Sequence, residues 1–145
     1  MNEYKNKLLV VDDDPGIRRV LNKLLTKEGY KAFDAGNETD SLKILQDEDI
    51  DLILLDLFLE ESSGRDILKK VRSDFSDIDV IVMSGKARIY DAVELIKAGA
   101  YDFVEKPFKI SILLNKISNA LMNRELNLKF QYLDEKYNNI NQLKE

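Results

Sequence analysis

The sequence predicts an α/β fold: a doubly wound, five-stranded parallel sheet with five helices, the last extended beyond the domain. Three observations predict it. Short apolar runs alternate with stretches of helical periodicity, and parallel strands need crossover helices of that kind. The runs at 8–11, 52–55 and 80–83 are continuously apolar, as central strands covered on both faces are. Carboxylates stand at the ends of two of these runs, at the edge where open parallel sheets carry their sites.

The elements follow in order. Leu8-Leu9-Val10-Val11 makes the first strand, and residues 16–28 a helix with Ile17, Val20, Leu21, Leu24 and Leu25 on one face. Pro15 suits the first turn of that helix, Asp14 its N-cap and Gly29 its end. Residues 30–34 alternate as a weaker strand. A loop at Gly36-Asn37 precedes a helix carrying Leu42, Ile44 and Leu45. The third strand spans 51–57, and the helix at 64–72 carries Ile67, Leu68 and Val71. A strand at 80–83, a helix at 87–97 and a strand at 101–105 come next, and the last helix begins near Ile110. Lys86, Arg88 and Tyr90 fall on a solvated helix face that can also serve partners.

Composition excludes several chemistries. The 145 residues suit one domain with an appendage, and 44% hydrophobic residues suffice for a core. With no cysteine and no histidine, disulfides, thiolate chemistry, a Ser-His-Asp triad and His-ligated zinc are all ruled out. A net charge of −5 argues against direct nucleic acid binding. No stretch is long and apolar enough to span a membrane, and MNEYKNK leads straight into a strand, so a cytoplasmic location is expected.

IDLILLDLFL, residues 50–59, holds Asp56 inside an apolar run, where a lone ionised carboxylate is costly. For the flavodoxin-like order 2-1-3-4-5, the site lies where strands 1 and 3 adjoin. Asp12 and Asp13 end the first strand and Asp56 the third, so the three converge on one corner. Each like-charged pair at roughly 4 Å costs about 1 kcal/mol in water and about 4 kcal/mol at an effective dielectric of 20. The corner must therefore hold protons or a cation, and an oxygen-only donor set selects a hard ion, with Mg²⁺ expected. Ser84 at the end of strand 4 and Lys106 at the end of strand 5 bring a hydroxyl and an ammonium to the same edge. Such a set can hold a phosphoryl group during transfer to a carboxylate oxygen.

VVDDD at 10–14, LLDL at 54–57, Met83-Ser84-Gly85 and Lys106-Pro107-Phe108 resemble the receiver domain of bacterial two-component response regulators. The resemblance covers about residues 5–122. It implies that Asp56 accepts the phosphoryl group, that Asp12 and Asp13 hold Mg²⁺, and that the Phe58 backbone carbonyl completes the protein ligands. It implies that Ser84 and Lys106 contact the phosphoryl oxygens and that the Lys106–Pro107 peptide is cis. Phe103 takes the position of the switch aromatic, although an aromatic on a strand is also ordinary core. Ser84 and Phe103 together would form the switch. Arg18, Met83-Ser84-Gly85 and AGAYDFVEKPF at 98–108 resemble receivers of enhancer-binding, ATPase-coupled transcription activators. One departure stands out: the loop after Asp56 reads Glu60-Glu61-Ser62-Ser63-Gly64, without the family's proline, so a looser loop is expected.

Residues 110–143 contain no proline or glycine and read as one helix of roughly 50 Å, longer than the domain is wide. Leu114, Ile117 and Leu121 make one apolar stripe, expected to pack on the sheet. Leu126, Phe130, Leu133, Tyr137 and Ile140 make a second, with the 4-3-4-3 spacing of a coiled coil. The division expected is a receiver at 1–122 and a helical, coiled-coil linker at 123–145, with a homodimer through the 122–143 helix. A sensor histidine kinase is the implied donor. The output is either the helical tail itself or an effector domain beyond this chain, which the resemblance favours, with transcription as its target.

Two rivals differ in class. A Mg²⁺-dependent aspartate-nucleophile phosphatase is suggested by Asp12-x-Asp14, but it needs a cap domain and a Thr-bearing motif, and positions 16 and 17 are Gly and Ile. A dimerisation module with a vestigial acidic site is the other, and the complete residue set argues against it. The receiver reading makes the chain no enzyme beyond its own phosphotransfer and dephosphorylation.

Overall fold

A computed structural model of the chain describes residues 5–59, 64–85 and 89–144. The Glu60–Ser63 departure and the Lys86 and Arg88 positions lie outside the described residues, as does the side chain of Tyr90. Ten elements alternate: β1 (Lys7–Val11), α1 (Pro15–Lys27), β2 (Lys31–Ala35), α2 (Glu38–Asp47), β3 (Leu52–Asp56), α3 (Gly64–Asp74), β4 (Asp79–Ser84), α4 (Ile89–Lys97), β5 (Asp102–Glu105) and α5 (Ile110–Lys144). The sheet is parallel throughout, in the order β2-β1-β3-β4-β5. The expected architecture and strand order are therefore present. Among the described residues, no helix is long and apolar enough to cross a membrane.

Local chemistry sets the element ends. The Asp14 carboxylate accepts from the backbone N–H groups of Gly16 and Ile17, capping α1, and Pro15 fills its first turn. Gly29 closes that helix at φ 96°, a left-handed conformation suited to glycine. The Tyr30 N–H is then spent on the Leu25 carbonyl at 3.0 Å, so β2 starts one residue later than its alternation suggests.

The continuous apolar strands divide their side chains between two layers. Leu9, Val11, Ile53, Leu55, Val80 and Val82 face one way and pack with Ile67, Leu68, Val71 and Leu95 of α3 and α4. Leu8, Val10, Leu52, Leu54, Ile81 and Met83 face the other way, against Leu21 and Leu25 of α1 and Leu113, Ile117 and Ala120 of α5. That second layer corrects one expectation. The sheet-facing stripe of α5 is Leu113, Ile117 and Ala120, all at 0% exposure, with Leu114 and Leu121 on its half-buried flank. Apolar residues stand at 112, 113 and 114 in succession, and only packing decides which of them faces inward.

Below the sheet's N-terminal edge, Arg124 ties α5 to the domain. Its Nη1 donates to Asp51 Oδ1 at 2.6 Å and its Nε to the Asp77 carbonyl at 3.0 Å. The rotation of α5 about its own axis is thereby fixed at position 124.

Candidate acidic phosphoryl site

At the opposite, carboxyl-terminal edge, β1 and β3 are hydrogen-bonded neighbours in the register Val11↔Leu55. The next residue of each strand delivers Asp12 and Asp56 to one corner, and Asp13 adds a third carboxylate. One oxygen from each of Asp12, Asp13 and Asp56 lies within 4.8 Å of the others. Asp12 is 1% exposed and Asp56 is 7% exposed. The donor set is all oxygen, as a hard divalent cation requires.

Pleat parity explains which side chains meet. Positions 8 and 10, 52 and 54, and 104 share the layer facing α1 and α5. Asp12, Asp56 and Lys106 continue that parity, so they point to the same side where the sheet ends. The Lys106 ammonium donates to Asp12 Oδ2 at 2.6 Å and lies 3.5 Å from Asp56 Oδ2. The remaining Asp12 oxygen accepts from the Asp14 N–H at 2.9 Å. Asp12 is thus well compensated, whereas among the described residues Asp56 holds the longer lysine contact and the Phe58 N–H at 3.2 Å.

The electrostatics follow from these distances. Burial pushes the Asp56 carboxyl above its ordinary range, and the Asp12 charge adds to the rise. Lys106 and the Phe58 N–H oppose that rise without cancelling it. Burial also pulls the Lys106 ammonium down, but the Asp12 hydrogen bond and the two carboxylate charges outweigh it and hold its pKa above normal. A carboxylate under such pressure readily gains from any added cation.

The other expected site residues sit nearby. Phe58 is exposed in the turn leaving β3. Ser84 ends β4 fully buried, pairs with Glu105, and accepts at its carbonyl from the Lys106 N–H at 2.9 Å. Phe103 pairs with Val82 and packs half-buried on the layer facing α3 and α4. Ser84 and Phe103 share the parity opposite to that of Asp56 and Lys106, so they are diagonal neighbours on adjacent strands. The Lys106–Pro107 peptide is cis.

Two supporting residues were underestimated by sequence reading. A Cβ on Gly64 would lie 2.5 Å from the Asp56 carbonyl oxygen and 2.7 Å from Leu57 Cα. Only glycine lets the start of α3 approach the backbone that carries Asp56, and its N–H donates to the Leu57 carbonyl at 3.0 Å. Arg18 donates from Nη1 to the Asp12 carbonyl at 2.7 Å and from Nε to Asp34 at 3.0 Å, joining α1 to the ends of β1 and β2. The glycine after an apolar strand was a visible signal; the reach of Arg18 to Asp34 was not.

Comparison with known proteins agrees with this geometry. The family model of the response regulator receiver domain matches residues 8–118. A putative NtrX-like response regulator of Rickettsia bellii is 36% identical over 135 residues, covering 88% of this chain and 28% of that protein. The transcriptional regulatory protein GlrR of Escherichia coli is 33% identical over 121 residues, covering 83% of this chain and 27% of its own length. The crystal structure of NtrX from Brucella abortus superposes with a TM-score of 0.85 at 31% identity, covering 90% of this chain and 30% of that one. The chain spans less than a third of the length of the NtrX-like and GlrR relatives. Fold, strand order and sequence match converge: this chain belongs to the response regulator receiver domain family.

Proposed function

We propose that the chain is a phosphorylation-switched signalling module whose phosphoacceptor is Asp56. The observation that carries this reading is the convergence of Asp12, Asp13 and Asp56 on one buried corner beside the Lys106 ammonium. The three carboxylates and the Phe58 carbonyl would hold Mg²⁺, which supplies positive charge against the carboxylates and an incoming phosphoryl group. An Asp56 oxygen attacks the phosphorus of a phosphohistidine on a sensor histidine kinase. The O–P bond forms as the P–N bond breaks, and the electron pair leaves with the imidazole. Lys106 balances the charge that develops on the phosphoryl oxygens. The chain acts as acceptor in this transfer and not as a turnover enzyme on free substrate.

An apolar groove beside the corner supports docking of the donor there. Ile17, Val20 and Leu24 of α1 and Pro107, Phe108 and Ile110 line an apolar groove that opens onto Lys106 and Asp14. A helix of the kinase laid there would carry its histidine to the site edge.

After transfer, the Ser84 hydroxyl turns toward the phosphoryl oxygens, and Phe103, its diagonal neighbour, repacks on the same layer. The change spreads across β4, α4 and β5, a shift between two existing states driven by contacts made in only one of them. The second output route is α5, through which residues 123–145 act as a coiled-coil linker in a homodimer. The names of the relatives, among them a transcriptional regulatory protein, support control of transcription by an effector segment joined to this receiver.

Acetyl phosphate with Mg²⁺ tests the reading by intact-protein mass. Wild type is expected to gain one phosphoryl group, and Asp56→Asn none. Equal modification of both, or of neither even with beryllofluoride as the probe, sinks the assignment.

A further inference from the structure

We propose that Arg18 is a positioning residue for the acidic corner: its guanidinium sets the Asp12–Asp13 peptide so that both carboxylates meet Asp56 there. The inference rests on the reading of that corner as a Mg²⁺ site and deepens it.

Asp12 lies where the β1–β2 ladder runs out. Its N–H still donates to the Ala35 carbonyl at 3.1 Å, one step beyond the last paired residues, Val11 and Ala35. In a continuing parallel ladder its carbonyl would accept from the N–H of residue 37. The chain instead bends at Gly36, and Asn37 becomes the N-cap of α2. Arg18 takes over that role: its Nη1 donates to the Asp12 carbonyl at 2.7 Å.

Every polar atom of Asp12 is then committed. Beside the two backbone contacts, one carboxylate oxygen accepts from the Asp14 N–H and the other from the Lys106 ammonium. A peptide unit is planar, so holding the Asp12 carbonyl also orients the N–H of Asp13 and places its Cα. Asp13, which brings the third carboxylate to the corner, keeps only the torsions of its own residue. Two of the three carboxylates therefore share one clamp.

Arg18 is itself held in place. Its Nε donates to Asp34 at 3.0 Å, and its side chain is 21% exposed. A Cβ on Gly36 would lie 2.8 Å from Arg18 Nη1 and 3.3 Å from its Cζ. Gly36 has no positive φ, so the missing Cβ supplies space for the guanidinium and nothing more.

The charge of Arg18 turns the test into one of sign. By Coulomb's law alone, removing a cation beside a Mg²⁺ corner strengthens Mg²⁺ binding. Positioning predicts the reverse, because losing the partner that orients a metal ligand costs roughly 10- to 100-fold in affinity.

Calorimetric Mg²⁺ titration of the full chain, beside urea midpoints of the same variants, decides between them. Arg18→Met is expected to bind Mg²⁺ about tenfold more weakly than wild type. Gly36→Ala should also weaken binding while leaving the urea midpoint nearly unchanged, since it displaces only the far end of a flexible side chain. In Arg18→Met/Gly36→Ala the second substitution should add nothing, because it acts through the guanidinium. Unchanged or tighter binding by Arg18→Met overturns the proposal, as does a Gly36→Ala effect that persists undiminished without Arg18. If Arg18→Met does not fold, Gly36→Ala decides alone, and wild-type Mg²⁺ affinity in that variant overturns the clamp. Asp56→Asn separates the two readings. A wild type that binds no Mg²⁺ removes the site and this inference together, whereas binding lost in Asp56→Asn but kept in Arg18→Met removes the inference alone.

Discussion

Two aspartates five residues apart flank the run of β3, Asp51 just before its first residue and Asp56 as its last, and both are buried: Asp51 is 2% exposed and Asp56 is 7% exposed. Their surroundings differ in one respect. Asp51 accepts from the Lys7 N–H at 2.8 Å and from the Arg124 guanidinium at 2.6 Å, so both oxygens have close donors. Asp56 has a donor at 3.2 Å, an ammonium at 3.5 Å and two further carboxylates within 4.8 Å. The same residue type is thus a finished joint just before β3 and a loosely compensated charge at its end. Compensation, and not burial, separates the two aspartates.

The sharpest way to break the comparison is to remove the compensation at Asp51. Arg124→Met leaves a buried carboxylate with its ion partner gone, and losses of about 3 kcal/mol are typical of such half-broken pairs. A fall of that size in urea-derived unfolding free energy is expected at neutral pH. Arg124→Lys should lose less, because it keeps the charge while losing the fork that also reaches the Asp77 carbonyl. A neutral outcome for Arg124→Met would mean that Asp51 is held by the Lys7 N–H alone.

Gly64 offers the matching test at the other end. Gly64→Ala forces a Cβ into the Asp56 carbonyl and Leu57 Cα, and an overpacked contact of that kind costs about 2 kcal/mol. Because the displaced backbone is the one carrying Asp56, Mg²⁺ affinity measured by titration should fall in the same variant. Loss of stability with unchanged Mg²⁺ binding would detach Gly64 from the site.

How legible these two ends were differs as well. Asp56 was visible because a charge inside a leucine-rich run is a local anomaly, and the strand order then placed Asp12 and Asp13 beside it. Asp51 carried no such signal, since a polar residue at a strand start is ordinary. Its partner lies 73 residues away, on another element, and no periodicity connects the two. The sheet-facing phase of α5 slipped for a related reason. Ile112, Leu113 and Leu114 are all apolar, and the packed layer chose Leu113. The strand order and both core layers were readable because the strands are short, apolar and evenly spaced by amphipathic helices.

Neutralising Asp56 should have the opposite sign to disturbing Asp51. Its folded pKa is raised above 3.8, so the ionised group opposes folding, and stability falls as pH rises through the folded value. Asp56→Asn is therefore expected to be more stable than wild type at neutral pH without divalent cations. The gain is on the order of 1 kcal/mol, the scale of one relieved like-charge contact. The two unfolding curves should converge as pH falls from the raised folded value toward 3.8, because wild type becomes protonated there. Saturating Mg²⁺ should erase or reverse the order, since binding to the folded state stabilises wild type by mass action. A variant less stable than wild type in chelator would show that Asp56 is compensated after all.

The smallest expected effect delimits the joint at Asp51. The Lys7 ammonium lies 3.1 Å from Glu48, with both side chains about one-third exposed. Such solvated pairs contribute about 0.5 kcal/mol or less, and salt screens them further. The contact from Lys7 to Asp51 uses the backbone N–H, which an alanine retains. Lys7→Ala should consequently shift the urea midpoint only slightly, and the shift should shrink in high salt, whereas the Arg124→Met loss should persist there. If Lys7→Ala instead approached the Arg124→Met loss, the side chains of Lys7, Glu48, Asp51 and Arg124 would be acting as one network. Asp51 would then owe its compensation to collective charge, and no longer to two close donors.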